Sequence, residues 1–575
     1  MMHDVITNVT QRIRKRSNDL RSQYLRNCEA ARARPTSRSK IGCTNLAHSY
    51  AAASSDEKIL LRHTESTPNI GIVTAYNDML SAHQPYGRYP DQIKRAALQN
   101  GATAQVAGGV PAMCDGVTQG EPGMELSLFS RDTIALSTAI ALSHHVFDGA
   151  LYLGICDKIV PGMLMGALSF GFLPGLFVPS GPMPSGISND EKNRVRIAHA
   201  EGKVGRDALL KSEEASYHSP GTCTFYGTAN SNQMLLEVMG LQLPGSAFVN
   251  PDTPLRDALT DDAVVRLLAQ CRSGAKGLGE LLEAEHVVNA MIGLLSTGGS
   301  TNHTLHIPAF ARAAGWLVDW QDFADLSAVV PLLARLYPNG AADVNDFHGV
   351  GGTPAVIKTL VEHGLLYGEI ETAHGIPLTS CELNPVWRDG QLQWENQPLP
   401  TPDHAVLRPA TAPFSDTGGL RLLTGSLGRA IIKTSSLPAK LASSITAPAR
   451  VFSSQESFLT AYANGELQLD FVAVLPGQGP AANGMPELHK LSPALTSLQN
   501  QGFKVALLTD GRMSGASGKF PAAIHVTPEA CHGGLIGKIQ TGDTIGIDWE
   551  NNTLTLQVED AVLMQRAAFT PPPLQ

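Results

Sequence analysis

No two of the eight cysteines (28, 43, 114, 156, 223, 271, 381 and 531) stand in a C-x-x-C pair. That excludes a zinc ribbon or a thioredoxin-like centre built from such pairs. Their scatter over 575 residues is equally unlike the disulfide framework of a small secreted scaffold. An export signal is also missing, because no apolar core precedes a small-residue cleavage site in the first residues. The cysteines are therefore expected as reduced thiols, some of them metal ligands, in a cytoplasmic protein. Basic charge is not in excess either: the formal net charge is -9, which argues against a general nucleic-acid binder. The early basic residues Arg12, Arg14, Lys15, Arg16, Arg21 and Arg26 are interleaved with Asp19 and Glu29 at helical spacing. They read as a solvated helix face rather than a transit peptide. The longest uncharged run, between Lys158 and Asp190, is long enough on paper to span a bilayer. Pro161, Pro174, Pro179, Pro182 and Pro184 break it, so a buried helix and then a buried strand are expected, with no membrane association. No repeat of the solenoid kind is present.

The length calls for about two to four domains. Hydrophobic residues at 43% and charged residues at 17% give an ordinary globular composition with no signature of disorder. A polar, charged helix over residues 10–33 is placed on the surface or at a subunit contact. Strands alternate with helices after it: a strand from Asn69 to Tyr76 closed by Asn77 and Asp78, a helix from Pro90 to Asn100, a strand from Ala102 to Ala107, and a helix from Arg131 to Val146. A further strand then runs into GICDKIVPG. This order predicts an α/β fold with a largely parallel sheet, whose active groups sit at the carboxyl ends of the strands. Cys114, Asp115, Cys156, Asp157 and Lys158 all follow such ends. Periodicity fades and proline and glycine rise from about 372 to 413. Short β-rich runs follow, ending in a segment with turns at Gly542-Asp543 and Asn551-Asn552 that reads as an antiparallel meander. The divisions expected are a helical amino-terminal extension (1–66), an α/β domain (67–385), a linker region (386–413) and a β-rich carboxyl-terminal domain (414–575).

The stretch Gly149 to Gly162, GALYLGICDKIVPG, organises the chemistry. A lone buried cysteine is ordinarily packing. Asp157 and Lys158 beside Cys156 change that reading, since two ionisable groups at one strand end are costly to bury without a task. Two nucleotide-binding look-alikes compete. GQGPAA (Gly477, Gly479, Ala482) follows the strand DFVAVLP, and Asp510 ends the next strand, which suits a dinucleotide site. Yet Pro480, Pro486 and Pro493 interrupt the helix, and the acid comes later than the usual ~20 residues. GRMSGASGK has Met513 and Phe520 where a phosphate loop does not allow them, and Ser514 misses the spacing of a nucleophile elbow.

GICDKIVPGM, PGTCTFYGTANSNQM, GGSTNH, GMPEL and TDGRMSG occur in this order. They resemble the signature segments of the dihydroxy-acid and 6-phosphogluconate dehydratase family, over nearly the whole chain. CTNLAH, TAYNDMLSAHQPY and VPAMCDGVTQGEPGMELSLFSRD resemble its phosphogluconate branch. The chain departs from the 2Fe-2S members at Ala82, where they carry a third cysteine.

What the resemblance implies is specific. The first domain is expected to be an α/β/α sandwich and the second a barrel-like β domain similar to the aconitase swivel, the chain forming a homodimer. Cys156 and Cys223, with Cys114 as candidate third ligand, would hold an iron-sulfur cluster, 4Fe-4S in preference to 2Fe-2S. Asp115, Asp157, Glu487 and Lys158 (as a carbamate) would surround Mg2+, because an unmodified ammonium cannot coordinate a metal. Ser514 would accept the proton from carbon 2. The implied reaction is the dehydration of 6-phospho-D-gluconate to 2-dehydro-3-deoxy-6-phosphogluconate, a step of gluconate use by the Entner-Doudoroff route. GGSTNH reads either as a cradle for the substrate phosphate or as a turn packed near the metal, and no phosphate-binding arginine or lysine is singled out. The alternatives are a dehydratase of another sugar acid or dihydroxy acid and, from another class, an NAD-dependent dehydrogenase using Gly477 to Asp510.

Overall fold

The computed structural model describes residues 2–33, 41–400, 403–438, 441–515 and 518–571. Its first sheet has the strand order β2-β1-β3-β4, all parallel, from β1 (Asn69–Thr74), β2 (Thr103–Gly109), β3 (Gly149–Leu153) and β4 (Gly175–Phe177). β1, β3 and β4 are buried along their whole length. That is why they read as continuous apolar runs rather than alternating ones. Ile70 pairs with Gly149 and Asn69 with Thr103, so the carboxyl ends of β1, β2 and β3 lie side by side.

Helix Ile159–Leu168 starts at the end of the GICDK turn and packs on helix Ser127–Leu142. Their approach depends on Gly162 and Gly166, one turn apart. A Cβ there would lie 2.6 Å from the Arg131 carbonyl oxygen and 2.5 Å from that of Ala135. Any larger residue would push the helix, and the turn before it, away from the sheet.

A two-stranded hairpin, β5 (Leu383–Arg388) with β6 (Gln391–Asn396), occupies part of the stretch expected as linker. Its strands are half-buried, and this blurs the alternation on which a sequence reading depends.

The remaining strands, β7 (Leu420–Gly425), β8 (Gly428–Lys433), β9 (Ser444–Val451), β10 (Phe471–Leu475), β11 (Val505–Thr509), β12 (Ala522–Thr527), β13 (Thr544–Asp548) and β14 (Thr553–Gln557), close into a barrel of order β10-β11-β12-β8-β7-β14-β13-β9. β13 and β14 form the antiparallel pair expected at the end of the chain. β9 to β12 are parallel neighbours, so the barrel is mixed. Val472 and Val474 of β10, with Ala506 and Leu508 of β11, fill the barrel. Phe471, Ala473, Leu475, Val505 and Leu507 face the large core that also holds the first sheet. The two-residue period of a strand thus joins the barrel to the rest of the molecule.

One expectation is sharpened and one is revised. The charged face of the first helix is exposed as expected, with only Arg21 of its basic residues buried, but the helix has a second, docked face. Helix Asp4–Ala33 is docked on the chain itself through buried Ile6, Val9 and Ile13. Arg12 (Nε to Oδ1, 2.9 Å) and Arg16 both reach Asp322, which is fully buried, and Arg14 pairs with Glu285 at 2.6 Å. The arginines are therefore ion-pair partners, and the short apolar stripe among them is a binding face. The dinucleotide reading fails. β10 and β11 do flank a helix, Leu491–Asn500, but the Asp510 carboxylate is buried and accepts from the backbone nitrogens of Gly477 (3.1 Å), Gln478 (2.8 Å) and Ala530 (2.8 Å). It stitches its own loops together and is not available to a ribose. Among the described residues, no helix is long and apolar enough to cross a membrane.

Candidate active site

The turn after β3 is held from two sides. His83 Nε2 accepts the Ile155 and Cys156 backbone N–H groups at 3.4 and 3.5 Å, and burial keeps the imidazole neutral by lowering its pKa to about 3. From helix Thr228–Val238, Asn232 Nδ2 donates to the carbonyls of Cys156 (3.4 Å) and Asp157 (3.2 Å). The loop carrying Cys223 is pinned in turn by Asn230, whose amide donates to the carbonyls of Cys223 (2.7 Å) and Phe225 (2.8 Å).

Cys114, Cys156 and Cys223 line one cavity of about 550 Å³ together with Asp115, Asp157, Glu487 and Ser514. The Cys114 and Cys156 thiols are hydrogen-bonded. That bond lowers the pKa of Cys114 and, with burial, raises that of Cys156. Burial pushes Cys223 up to about 12. Ala82 lines the same cavity, so the third sulfur at its wall comes from the end of β2 and not from position 82.

The carboxylates of Asp115, Asp157 and Glu487, all buried, present oxygens within 4.8 Å of one another. Two cations interleave them. Lys158, 1% exposed, donates to Asp115 and to Asp157 Oδ2 (2.9 Å). Arg512, equally buried, donates to Asp115 Oδ2 (2.6 Å), Asp157 Oδ2 (3.0 Å), Glu487 Oε1 (2.8 Å) and Ser127 Oγ (2.8 Å). Burial opposes the Lys158 charge, but Asp115 and Asp157 outweigh it and raise the pKa. Asp157 is likewise held ionised against burial by Lys158 and Arg512. Glu487 is different: burial, reinforced by Asp115 and Asp157, pushes it up to about 7. With all five groups ionised the cluster carries a net charge of -1 (three carboxylates, two cations). Three acidic oxygens this close could hold a hard divalent cation.

Ser514 reaches the cavity on the loop after β11. The loop can lie this close because residue 515 is glycine. A Cβ there would be 2.7 Å from Ser300 Oγ and 2.9 Å from the Thr228 nitrogen. Asn302 secures the same loop. In the orientation that satisfies both ends of its amide, its oxygen accepts from Arg512 Nη1 (2.9 Å) and Thr228 Oγ1 (3.1 Å), and its nitrogen donates to the Met513 carbonyl (3.3 Å). GGSTNH is thus a turn packed beside the carboxylates.

The structure brings Cys114, Asp115, Cys156, Asp157, Cys223, Glu487 and Ser514 to one cavity, with Lys158 bonded to two of the carboxylates behind its wall. It adds groups the sequence reading passed over. Arg512 lies inside the quoted segment TDGRMSG, and only its burial among carboxylates shows its weight. His306 Nε2 is 3.1 Å from Asp157 Oδ1, and Arg131 Nη1 is 3.4 Å from its Nδ1. Burial lowers its pKa to about 4, so the neutral ring accepts from Arg131 and donates to Asp157. Among the described residues Lys433 has no hydrogen-bond partner for its buried Nζ, and it borders, with Ser514 and Thr301, a void of about 20 Å³. Burial lowers its pKa to about 7.

Residues 67–380 match the amino-terminal model of the dihydroxy-acid/6-phosphogluconate dehydratases, and residues 405–574 match the carboxyl-terminal model. The chain belongs to this family. Among its relatives, a phosphogluconate dehydratase of Escherichia coli (strain K12) is 53% identical over 99% of this chain and 94% of its own length. One from Rhizobium meliloti (strain 1021) is 54% identical over 98% and 93%. A dihydroxy-acid dehydratase of Caldicellulosiruptor bescii is 33% identical over 88% and 90%. The enzymes of the family are hydro-lyases. An elimination needs a proton acceptor and a leaving-group acceptor facing one substrate, and the cavity has candidates for both.

Proposed function

We propose that the protein dehydrates 6-phospho-D-gluconate to 2-dehydro-3-deoxy-6-phosphogluconate, losing the carbon 2 proton and the carbon 3 hydroxyl as water. The supporting observation is the shared cavity, in which two thiols from the loops after β2 and β3 and a third, Cys223, from the loop before helix Thr228–Val238 line the same walls as the Asp115-Asp157-Glu487 triad and Ser514.

The donor set fits two groups. Cys114, Cys156 and Cys223 suit an iron-sulfur cluster with an iron left open, 4Fe-4S in preference to 2Fe-2S. Asp115, Asp157 and Glu487 suit Mg2+, joined by Lys158 as a carbamate. With the carboxylates engaged by a divalent cation, the burial of Lys158 favours its neutral amine, the form that adds carbon dioxide. When bound, the two groups supply Lewis acidity toward the substrate's carboxylate and hydroxyls.

Ser514 accepts the carbon 2 proton. A serine oxygen is a weak base, so the task requires positive charge at the same end of the cavity, where Arg512 and the metal-binding triad lie. His306 and Arg512 hold Asp157 in position, and Arg512 fixes Glu487 and Asp115 at the same time. Loss of the proton and then of the hydroxyl leaves an enol, which tautomerises to the 2-keto product. A cytoplasmic homodimer is the setting that the family resemblance implies.

The direct test uses anaerobically purified protein and compares 6-phosphogluconate with gluconate and 2,3-dihydroxyisovalerate. A preference for either unphosphorylated acid would overturn the substrate assignment in favour of another dehydratase. Ser514→Ala should retain iron and bound magnesium and lose roughly 10²- to 10⁴-fold in kcat, the usual range for a positioned acid or base. Near-normal turnover would refute its role.

A further inference from the structure

The cavity extends away from the thiols and carboxylates to an end built by two helices, Asn189–Ala200 and Arg206–Ser216, which pack on each other, the first of them also on helix Leu491–Asn500. Lys192 and Arg196 stand four residues apart on the first of these, so both point from one helix face. Lys519, on the loop that also carries Ser514, lines the same cavity.

Lys192 is the decisive residue. It is 3% exposed, and its Nζ donates to Ser216 Oγ (2.9 Å) and stands 4.8 Å from the centre of the Tyr217 ring and 5.4 Å from that of Phe225. No carboxylate among the described residues lies within ion-pair distance of it. Burial lowers its pKa to about 8. An ammonium buried without a counter-ion is costly, and an anion entering the cavity would remove the cost. Arg196 is already committed to Glu213 through two bonds of 2.5 and 2.8 Å, so this pair is neutral and rigid. Lys519 Nζ is 5.2 Å from the Tyr337 ring centre, with the exposed Asp190 carboxylate at 3.6 Å. His489 lines the same cavity and is kept neutral by burial, with Arg196 and Lys192 adding to the effect.

We propose that Lys192 and Lys519 bind the terminal phosphate of the substrate as a phosphomonoester. The inference rests on the reading of the substrate as a phosphorylated sugar acid. A phosphate monoester carries about -1.5 to -2 at pH 7, which two lysines match. The lysines also lie in the right direction. Lys192, Tyr217 and Lys519 line the same cavity as Cys114, Cys156 and Cys223, so one cavity runs from the thiols to this end. A sugar acid with carbons 2 and 3 at the triad and thiols would direct its carbon 6 there. Gly298–His303 does not compete, because Ser300 accepts the Asn302 nitrogen (3.2 Å), Asn302 holds the Arg512 loop and His303 is bonded to Ser231 (2.8 Å).

The experiment measures kcat/KM for 6-phosphogluconate and for gluconate on anaerobic holoenzyme of the wild type, Lys192→Met and Lys519→Met. Each variant should raise the KM for 6-phosphogluconate tenfold or more and lower the preference for it over gluconate by a similar factor. Lys519 is one-third exposed, so its variant keeps the test open if Lys192→Met does not fold. Wild-type preference with variants whose KM and preference stay within threefold of it would overturn the phosphate site alone. A wild type that prefers gluconate would overturn the substrate reading itself, before any variant is compared.

Discussion

Arg512 Nη2 donates to Asp115 Oδ2 at 2.6 Å across 397 residues of sequence. The loop after β11 and the loop after β2 are thereby closed on each other across the acidic triad Asp115-Asp157-Glu487. The guanidinium also bonds Asp157 and Glu487, so one cation from the barrel organises three carboxylates, two of them from the first sheet.

Arg512→Met should therefore destabilise the metal-depleted protein by about 3–5 kcal/mol, the usual result of leaving buried charges without a partner. Added Mg2+ should recover part of the loss by restoring positive charge. Chemical denaturation with and without Mg2+ checks both statements, and a stability equal to wild type in either condition contradicts them.

Glu487 predicts a pH dependence of metal binding. Burial raises its pKa to about 7, so below that pH a proton competes with the cation. Apparent Mg2+ affinity should fall about tenfold per pH unit on the acid side of 7 and level off above it. Glu487→Gln should bind Mg2+ weakly with a flatter profile. Equilibrium dialysis from pH 5.5 to 8.5 reads this, and a flat wild-type profile refutes it.

The three thiols should act together in holding iron. Cys114→Ser, Cys156→Ser and Cys223→Ser should each lower iron and sulfide per chain, whereas Cys43→Ser, at an exposed position, should not. An anaerobic spectrum of the wild type distinguishes a 4Fe-4S from a 2Fe-2S cluster. Full iron in Cys114→Ser would remove that residue from the ligand set.

Lys433 predicts a change in stability. Its pKa is lowered to about 7, against about 10.4 in an unfolded chain. Below pH 7 both states are protonated, and the folded state carries the whole cost of a buried ammonium that has no partner among the described residues. From pH 7 to about 10 the unfolded state binds the extra proton, so stability rises with pH. Lys433→Met should be more stable than wild type by about 1–3 kcal/mol at pH 6, with the gap narrowing by pH 9. Melting curves at the two pH values decide it; an equal gap at both refutes the unpaired lysine.

Much of the fold was legible in the sequence because its signals are local. The uninterrupted apolar runs at β1 and β3 announce strands buried on both faces, and GICDK follows β3 directly, so Cys156, Asp157 and Lys158 had to emerge at a carboxyl edge. The same logic placed Cys114 and Asp115. Helix Asp4–Ala33 keeps the solvated charged face its spacing announced, with Arg12, Arg14, Lys15, Arg16 and Arg26 exposed. The docking of Ile6, Val9 and Ile13 and the ion pairs to Asp322 and Glu285 join segments far apart in the chain, which no local spacing records. GQGPAA and Asp510 misled because strand, turn and acid are spaced as for a nucleotide, while backbone N–H groups already fill the carboxylate.

By itself the sequence determined which chemical groups stand at strand ends, since hydrophobic period and turn residues act over a few positions. Only the tertiary structure decided which of them meet and which charges remain unpaired. Arg512 finds Asp115 because alternate residues of β10 and β11 bury their side chains in the core that holds the first sheet. Lys192 is left without a carboxylate because of how two helices fold over the cavity. Burial and counter-charge are properties of packing between distant segments, and no spacing along the chain records them.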